Sequence, residues 1–433
     1  METTQKIQDK KTNTKLFPIY KMFSWDLLFY YSIIYLFLTQ AKNFSASDVL
    51  LAESFFTASC LLLQIPIGLL VDKIGKKNSL VFANICMCVF ITILLFVNNY
   101  PMLLLANFID AIGYVIKGVC ETNILYDSLP SGEKRGTLYS SVDGIGASRY
   151  YVIDAITSII AGITFTIDPY IPVVLCLIVN IIALILSTRF KHTQSQREEE
   201  NSKETAKQYF KELREAIKFT FNSKRMLCLM LFFGLMSGLT YNLSTYRSNI
   251  LNSINIPAQY FGIIFAIIQI MAGICSKGQG WLHKRFKNNT LSVLGIPYVA
   301  SCFIIGCLVD SFGESVSNIV VILFILQGAI KGAYNVLIYR YLNNFTNRKI
   351  RVKLATIRNM FFNMISILIS LLGSFLLKVT TSGNTFLIVG GICTVCMVLL
   401  LDYMRGKVGL KPEKYNKEDL KYSSFNEGGN LKW

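Results

Sequence analysis

Charge is scarce in this chain. Of 433 residues, 16% are Asp, Glu, Lys or Arg and 53% are hydrophobic. Soluble domains carry about 25% charged residues, so a string of soluble domains is excluded. Histidine is scarcer: there are two, His192 and His283, both beside polar loops. Cys393 and Cys396 form a C-x-x-C with no second pair or histidine nearby, short of the four ligands of a structural zinc. All eleven cysteines fall in apolar stretches and are read as packing or lipid-facing. No metal and no cofactor is expected. No G-x-x-x-x-G-K-[ST] occurs, so ATP-driven transport by this chain alone is not expected. No nucleophile, base and oxyanion set is visible, so the chain is not read as an enzyme. The N-terminal "METTQKIQDKKTNTK" lacks the apolar core and cleavage site of a signal peptide, and the first apolar run is expected to serve as signal-anchor.

What is present is a series of uncharged runs: Leu27 to Ala41, Ser54 to Val71, Ser79 to Ile109, Ser248 to Ser276, Asn359 to Leu377 and Val379 to Leu401. A membrane-spanning helix needs roughly 20 mostly apolar residues. The runs do not alternate, as the strands of a membrane β-barrel would. The fold class is therefore an all-α polytopic membrane protein. Twelve transmembrane helices are expected: 18–40, 48–71, 78–97, 101–128, 138–164, 170–190, 225–248, 258–282, 289–309, 315–342, 352–378 and 384–404.

The longest loop divides these spans six and six, as in duplicated transporters. The expected organisation is an N-terminal six-helix half (1–190), a linker (191–224), a C-terminal six-helix half (225–405) and a tail (406–433). Within the linker, Tyr209, Phe210, Leu213, Ile217 and Phe221 recur at steps of three and four, with lysines and glutamates on the other face. That spacing predicts an amphipathic helix on the membrane surface.

Loop charge sets the orientation. Lys73, Lys76, Lys77, Lys134, Arg135, Lys284, Arg285, Lys287, Arg348, Lys349, Arg351 and Lys353 lie in short loops on one side, against Lys42 alone on the other. The basic side is read as cytoplasmic, with both termini there. The net charge of +17 is accounted for by this asymmetry, and nucleic acid is not an expected partner.

The loop after the second span reads "GLLVDKIGKKN", residues 68–78. Positive-inside charge explains Lys73, Lys76 and Lys77 but not Asp72, Gly68 or Gly75. Gly75 suits a turn with φ > 0, and Gly68 suits close helix approach. Here the chain resembles the major facilitator superfamily, whose signature in this loop is G-x-L-x-D-[RK]-x-G-[RK]-[RK]. Gly68, Leu70, Asp72, Lys73, Gly75, Lys76 and Lys77 match it. The resemblance implies the major facilitator fold and a gating role for the loop, with Asp72 pairing across the two halves.

"FSWDLLFYYSIIYLF", "ESFFTASCLLLQIPIGLLVDKIGKK", "NILYDSLPSGEKR" and "YLNNFTNRKIRVKLATI" are similar to an uncharacterised, efflux-labelled group of low-GC Gram-positive bacteria. The group usually has Glu at Gln64 and Arg-Lys at Lys76-Lys77. The arginine of proton antiporters early in helix four is missing, the nearest charge being Asp110, and 138–164 contains no proline.

Ionisable groups at bilayer depth are costly and usually face a cavity or a partner. Asp110, Tyr114, Lys117 and Glu121 recur at helical spacing and share one face, with Lys117 and Glu121 able to pair within the helix. Arg149 and Asp154 lie in helix five, Gln327, Lys331 and Asn335 in helix ten, Arg358 in helix eleven, and Asp26 with Tyr30 in helix one. These groups either pair internally, as Glu121 with Arg149, or line a polar cavity. The resemblance implies lining by helices 1, 4, 7 and 10, which adds Tyr241 and Asn242. Lys331 and Arg358 suit an anionic or zwitterionic substrate; the aromatics near Asp26 equally suit a flat or cationic one.

The expected function is secondary transport of a small molecule across the cell membrane by alternating access, as an exporter, coupled to a proton or another ion. The expected partners are the substrate and the lipid bilayer, and the expected state is a monomer. Uptake of a small polar or anionic solute or peptide is the alternative. A transporter-like sensor or scaffold without flux is the alternative of another class.

Overall fold

In the computed structural model, residues 2–130, 135–192, 202–286, 289–344 and 348–407 are described. Outside them fall most of the linker ahead of its helix, the tail from 408, and Lys134, Lys287 and 345–347 of the basic loops. The regular structure among the described residues is helical, with no strand. The order is α1 (Glu2–Ser24), α2 (Ile34–Leu36) running into a π turn (Phe37–Ala41), α3 (Ala46–Ile74), α4 (Lys76–Phe96), α5 (Tyr100–Ser128), α6 (Arg135–Ile167), α7 (Tyr170–Thr188), α8 (Ser202–Asn222), α9 (Lys224–Ser253), α10 (Ala258–Phe286), α11 (Thr290–Phe312), α12 (Ser317–Asn344), α13 (Arg348–Val379) and α14 (Ser382–Lys407).

Ten stretches of helix among the described residues are long and apolar enough to cross a membrane, and one of them, Thr290–Asn335, takes in both α11 and most of α12. Eleven of the expected spans thus coincide with α3–α7 and α9–α14. Short polar signals fix several ends. Ser45 and Asp48 form a capping box at the start of α3. The Asn99 side chain accepts from the Met102 N–H at 2.9 Å at the start of α5, and Ser223 caps α9 through the Met226 N–H at 3.1 Å.

The first expected span, 18–40, is not one helix. α1 stops at Ser24, and the chain unwinds until Ile34. The cause is local. Asp26 Oδ1 accepts from the Leu27 N–H at 3.0 Å and from the Tyr31 hydroxyl at 2.7 Å. A short carboxylate that bonds its own backbone competes with the helical ladder. Phe29 then takes φ 64°, a conformation that bulky residues rarely adopt and that costs of order 1–3 kcal/mol. Apolar periodicity carries no sign of either effect.

The protein divides into two compact units: Met1–Ala206 with Pro257–Ala266, and Lys207–Ile256 with Ile267–Trp433. In the first, α5 packs on α3 and α4, and α1 lies against α6. In the second, the dominant pairs are α11 with α14 and α9 with α13. Small residues allow the closest of these contacts: a Cβ at Gly306 of α11 would overlap the backbone of Leu387 in α14. Asp310 ties the same two helices by accepting from the Asn384 N–H at 2.7 Å and from Thr381.

The linker helix departs from the expected stripe. Leu213 is buried, together with Ala216, Phe219 and Thr220, whereas Phe210 and Phe221 are exposed.

Candidate functional site

Where α1 breaks, its last carbonyls lose their helical acceptor role and become available to side chains. Lys117, buried on α5, donates to the carbonyl of Ser24. Glu121, one turn along α5, accepts from the Tyr20 hydroxyl at 3.1 Å and from the Ser24 hydroxyl at 3.4 Å. Asn84 of α4 donates to the Tyr20 oxygen at 3.0 Å. The lysine and the acid, which attract each other along α5, also meet at Ser24, one on its carbonyl and one on its hydroxyl. The break supplies the carbonyl oxygen, which a continuous helix would keep turned along its axis; the Ser24 hydroxyl projects from the helix in either case. Arg149 is exposed on α6, so Glu121 is brought to Tyr20 and Ser24 rather than to that arginine.

One turn before the break, Lys21 and Asp143 of α6 form an ion pair at 2.5 Å, nearly closed off from solvent on the lysine side. Gly146 makes room for it: a Cβ there would press on the lysine stem at 3.0 Å. The Lys21 ammonium also lies 4.5 Å from the centroid of the Trp25 ring, a cation–π distance. Trp25 in turn meets the edges of Tyr150 and Tyr151, with ring centroids 5.1 and 5.2 Å away. Beyond the break, Asp110 interacts electrostatically with Asp26, Glu53 and Lys117, and Tyr30 with Asp110, Glu53 and Asp26. Tyr114, from the same expected face of α5, is half exposed and stacks edge-on with Phe56.

Lys21, Asp143, Glu53, Tyr20, Ser24 and Asn84 were absent from the sequence-level set. For Lys21, Asp143 and Glu53 a signal existed: each is a charge inside or at the end of an expected span, the criterion that singled out Asp26. Tyr20, Ser24 and Asn84 had none, because neutral polar residues are common in spanning helices.

The second unit places its expected residues differently. Lys331 and Asn335 are half-buried on α12, but Gln327 from the same stripe is fully buried and donates to Ser301 at 2.8 Å. Asn242 is 2% exposed, and its amide donates to Ser366 Oγ at 2.9 Å. It holds α9 to α13 rather than facing open space. Tyr241, half-buried, meets Phe362 edge-on at 5.7 Å. Arg358 donates to Asn359 Oδ1 at 3.0 Å and lies 5.0 Å from the Phe233 ring centroid. Tyr334 joins Ser237 at 3.0 Å and Tyr298 joins Thr240 at 2.7 Å, completing a polar α9 face.

In the loop after α3, Gly75 takes φ 87° and its N–H closes the helix on the Val71 carbonyl at 2.9 Å, a conformation suited to glycine. Lys76 pairs with Asp127 at the end of α5 at 2.7 Å. Lys73 is exposed and Lys77 half-buried, and the Asp72 side chain lies outside the described residues. Gly68 does not mediate close packing: a Cβ there would meet nothing within 4 Å. It sits on an open side of α3, so its small size is not required by a neighbour.

The solved structures to which this fold is similar are transporters by their own descriptions. The nucleoside transporter NupG matches with a TM-score of 0.67 at 12% identity, over 92% of this chain and 99% of that one. A POT family transporter in complex with 5-aminolevulinic acid matches with a TM-score of 0.64 at 13% identity, over 92% and 96%. A D-xylose-proton symporter matches with a TM-score of 0.64 at 13% identity, over 91% and 96%. No curated protein matches the sequence significantly. The Major Facilitator Superfamily model matches residues 16–315 and 293–426. With this match over nearly its whole length, the chain belongs to the Major Facilitator Superfamily.

Proposed function

We propose that this protein is a secondary transporter that moves a small polar or anionic molecule by alternating access, driven by a proton gradient. The observation that carries the reading is the meeting of Lys117 and Glu121 at Ser24. A lysine and a carboxylate held at bilayer depth are expensive for a purely structural purpose, and a broken helix is where transporters expose backbone to substrate and ions. A proton arriving at Glu121 would remove the charge that Lys117 balances, and would free the lysine to leave Ser24.

Export is the direction implied by the resemblance in sequence. Uptake is favoured here, because the antiporter arginine of helix four and the proline of helix five are missing. The cell membrane is the proposed location, with both termini cytoplasmic, the protein acting as a monomer. Asp72, Lys73, Gly75, Lys76 and Lys77 are proposed as the gating loop, and Asp26, Tyr30, Lys331, Asn335 and Arg358 as substrate-facing groups. A solute screen in proteoliposomes with an imposed pH gradient tests the reading. Acid-outside vesicles should accumulate an anionic or zwitterionic solute, and collapse of the gradient should stop it. Efflux of preloaded solute toward the acid outside, with no accumulation, would establish exchange with protons, and binding without any flux would favour a sensor.

A further inference from the structure

The linker helix α8 has two faces of different chemistry. At 100° per residue, Leu213, Ala216, Phe219 and Thr220 fall in one sector, and all four are buried. The opposite sector, about 120° wide by the same spacing, holds Phe210, Lys211, Arg214, Lys218, Phe221 and Asn222, all exposed. Phe210 and Phe221 are 46% and 60% exposed, in one line along the helix. The two acids among the described side chains are half-buried: Glu212 falls within the buried sector and Glu215 between the two sectors. The exposed sector therefore carries three cations, two phenyl rings and no acid.

We infer that this exposed face of α8 docks on anionic lipid headgroups of the bilayer that α9 spans. The position of the helix argues for lipid over a protein partner. One residue, Ser223, separates α8 from α9, and Ser223 caps α9 directly. The face thus begins at the membrane surface at the Lys224 end of α9. Phenyl rings partition to the headgroup boundary while lysine and arginine attract anionic lipid. Burial of Leu213, Ala216 and Phe219 anchors the helix to the protein, so that its orientation is set before any lipid binds. Phe221 also meets the Phe361 ring of α13, with centroids 6.3 Å apart, at the edge of this anchoring; the outward placement of Lys211, Arg214 and Lys218 adds nothing to it.

The test uses the full-length protein in nanodiscs, labelled with an environment-sensitive fluorophore at Phe221→Cys in a background without other reactive cysteines. One set of discs is phosphatidylcholine alone and the other contains phosphatidylglycerol. The expected result is a blue-shifted emission and quenching by lipid-borne spin label in the anionic discs. Removing one cation should weaken the dependence on anionic lipid about fivefold. The combined variant Lys211→Gln, Arg214→Gln, Lys218→Gln should return the probe to water with an unchanged unfolding temperature, since these side chains are exposed. Emission that is the same in both discs, and unchanged in the combined variant, would overturn the inference. So would a probe that stays in water in every disc and is shielded only in native membranes, which would assign the face to a protein.

Discussion

The ammonium of Lys117 donates to the carbonyl of Ser24, the residue at which α1 ends. A continuous first helix would direct that carbonyl to its own ladder. The break at Asp26 and the lysine of α5 thus support each other: one exposes an acceptor, and the other satisfies it in a place with little water.

Replacing Lys117 by Met should remove a charged hydrogen bond worth about 1.5–3 kcal/mol and leave Glu121 without its neighbouring cation. The unfolding temperature in detergent should fall, and proton-driven transport should be lost. Lys117→Arg should recover most of the stability but not the coupling, because a guanidinium is bulkier and its rigid planar fork is not released from Ser24 as a flexible ammonium is. A Lys117→Met protein with normal stability and flux would leave the broken helix as a packing feature.

In the second unit, Lys331→Ala should abolish transport while the protein stays folded. Lys331 is half-buried on α12, between the fully buried Gln327 and the half-buried Asn335. Circular dichroism and thermal unfolding would confirm the fold, and substrate-induced stabilisation would report binding. Wild-type flux in Lys331→Ala would assign this lysine to structure and remove the main support for an anionic substrate.

The Lys76–Asp127 ion pair is partly exposed on both sides, so its contribution to stability should lie at or below about 1 kcal/mol. Asp127→Asn should shift unfolding little, and the exchange Lys76→Asp with Asp127→Lys should restore the parent value. Asp72→Asn should behave differently: turnover should fall several-fold with substrate affinity nearly unchanged, as expected of a gate. Lys73→Gln is the control. Equal, small effects of Asp72→Asn and Lys73→Gln on flux would mean that the loop serves topology alone.

Orientation is open to chemical labelling. A cysteine at Ser382, introduced into a Cys-free protein, should react with a membrane-impermeant maleimide from outside the cell. A cysteine at Asn78 should react only after the membrane is opened. The reverse pattern would invert the topology read from the lysine and arginine distribution.

Most spans were legible because the energetic rule behind them is one-dimensional. An uncharged run of about 20 residues favours a helix in lipid, where each backbone group must be satisfied within the segment, and "NFSASD" and "NNYP" mark turns through their own caps. The candidate site was legible only in part. Lys117, Glu121 and Asp26 announce themselves by the cost of their charge, but their partners do not. Tyr20, Ser24 and Asn84 look like any polar residue in a span until the fold brings them to Glu121.

By itself, then, the amino-acid sequence determined the helical class, the number and place of the uncharged runs, the basic loops and the residues that must find partners inside the membrane. Only the tertiary structure decided that the first run is interrupted at Ser24, that Lys117 and Glu121 meet there, that Lys21 finds Asp143, and which side of α8 faces outward. The division has a physical reason. Desolvation cost and helix periodicity belong to single residues and their near neighbours in the chain. The partner of a buried charge is chosen by packing between segments about a hundred residues apart, as Lys117 finds Ser24 and Lys21 finds Asp143, and whether a local bond such as Asp26 to the Leu27 N–H outweighs the helix around it depends on that packing.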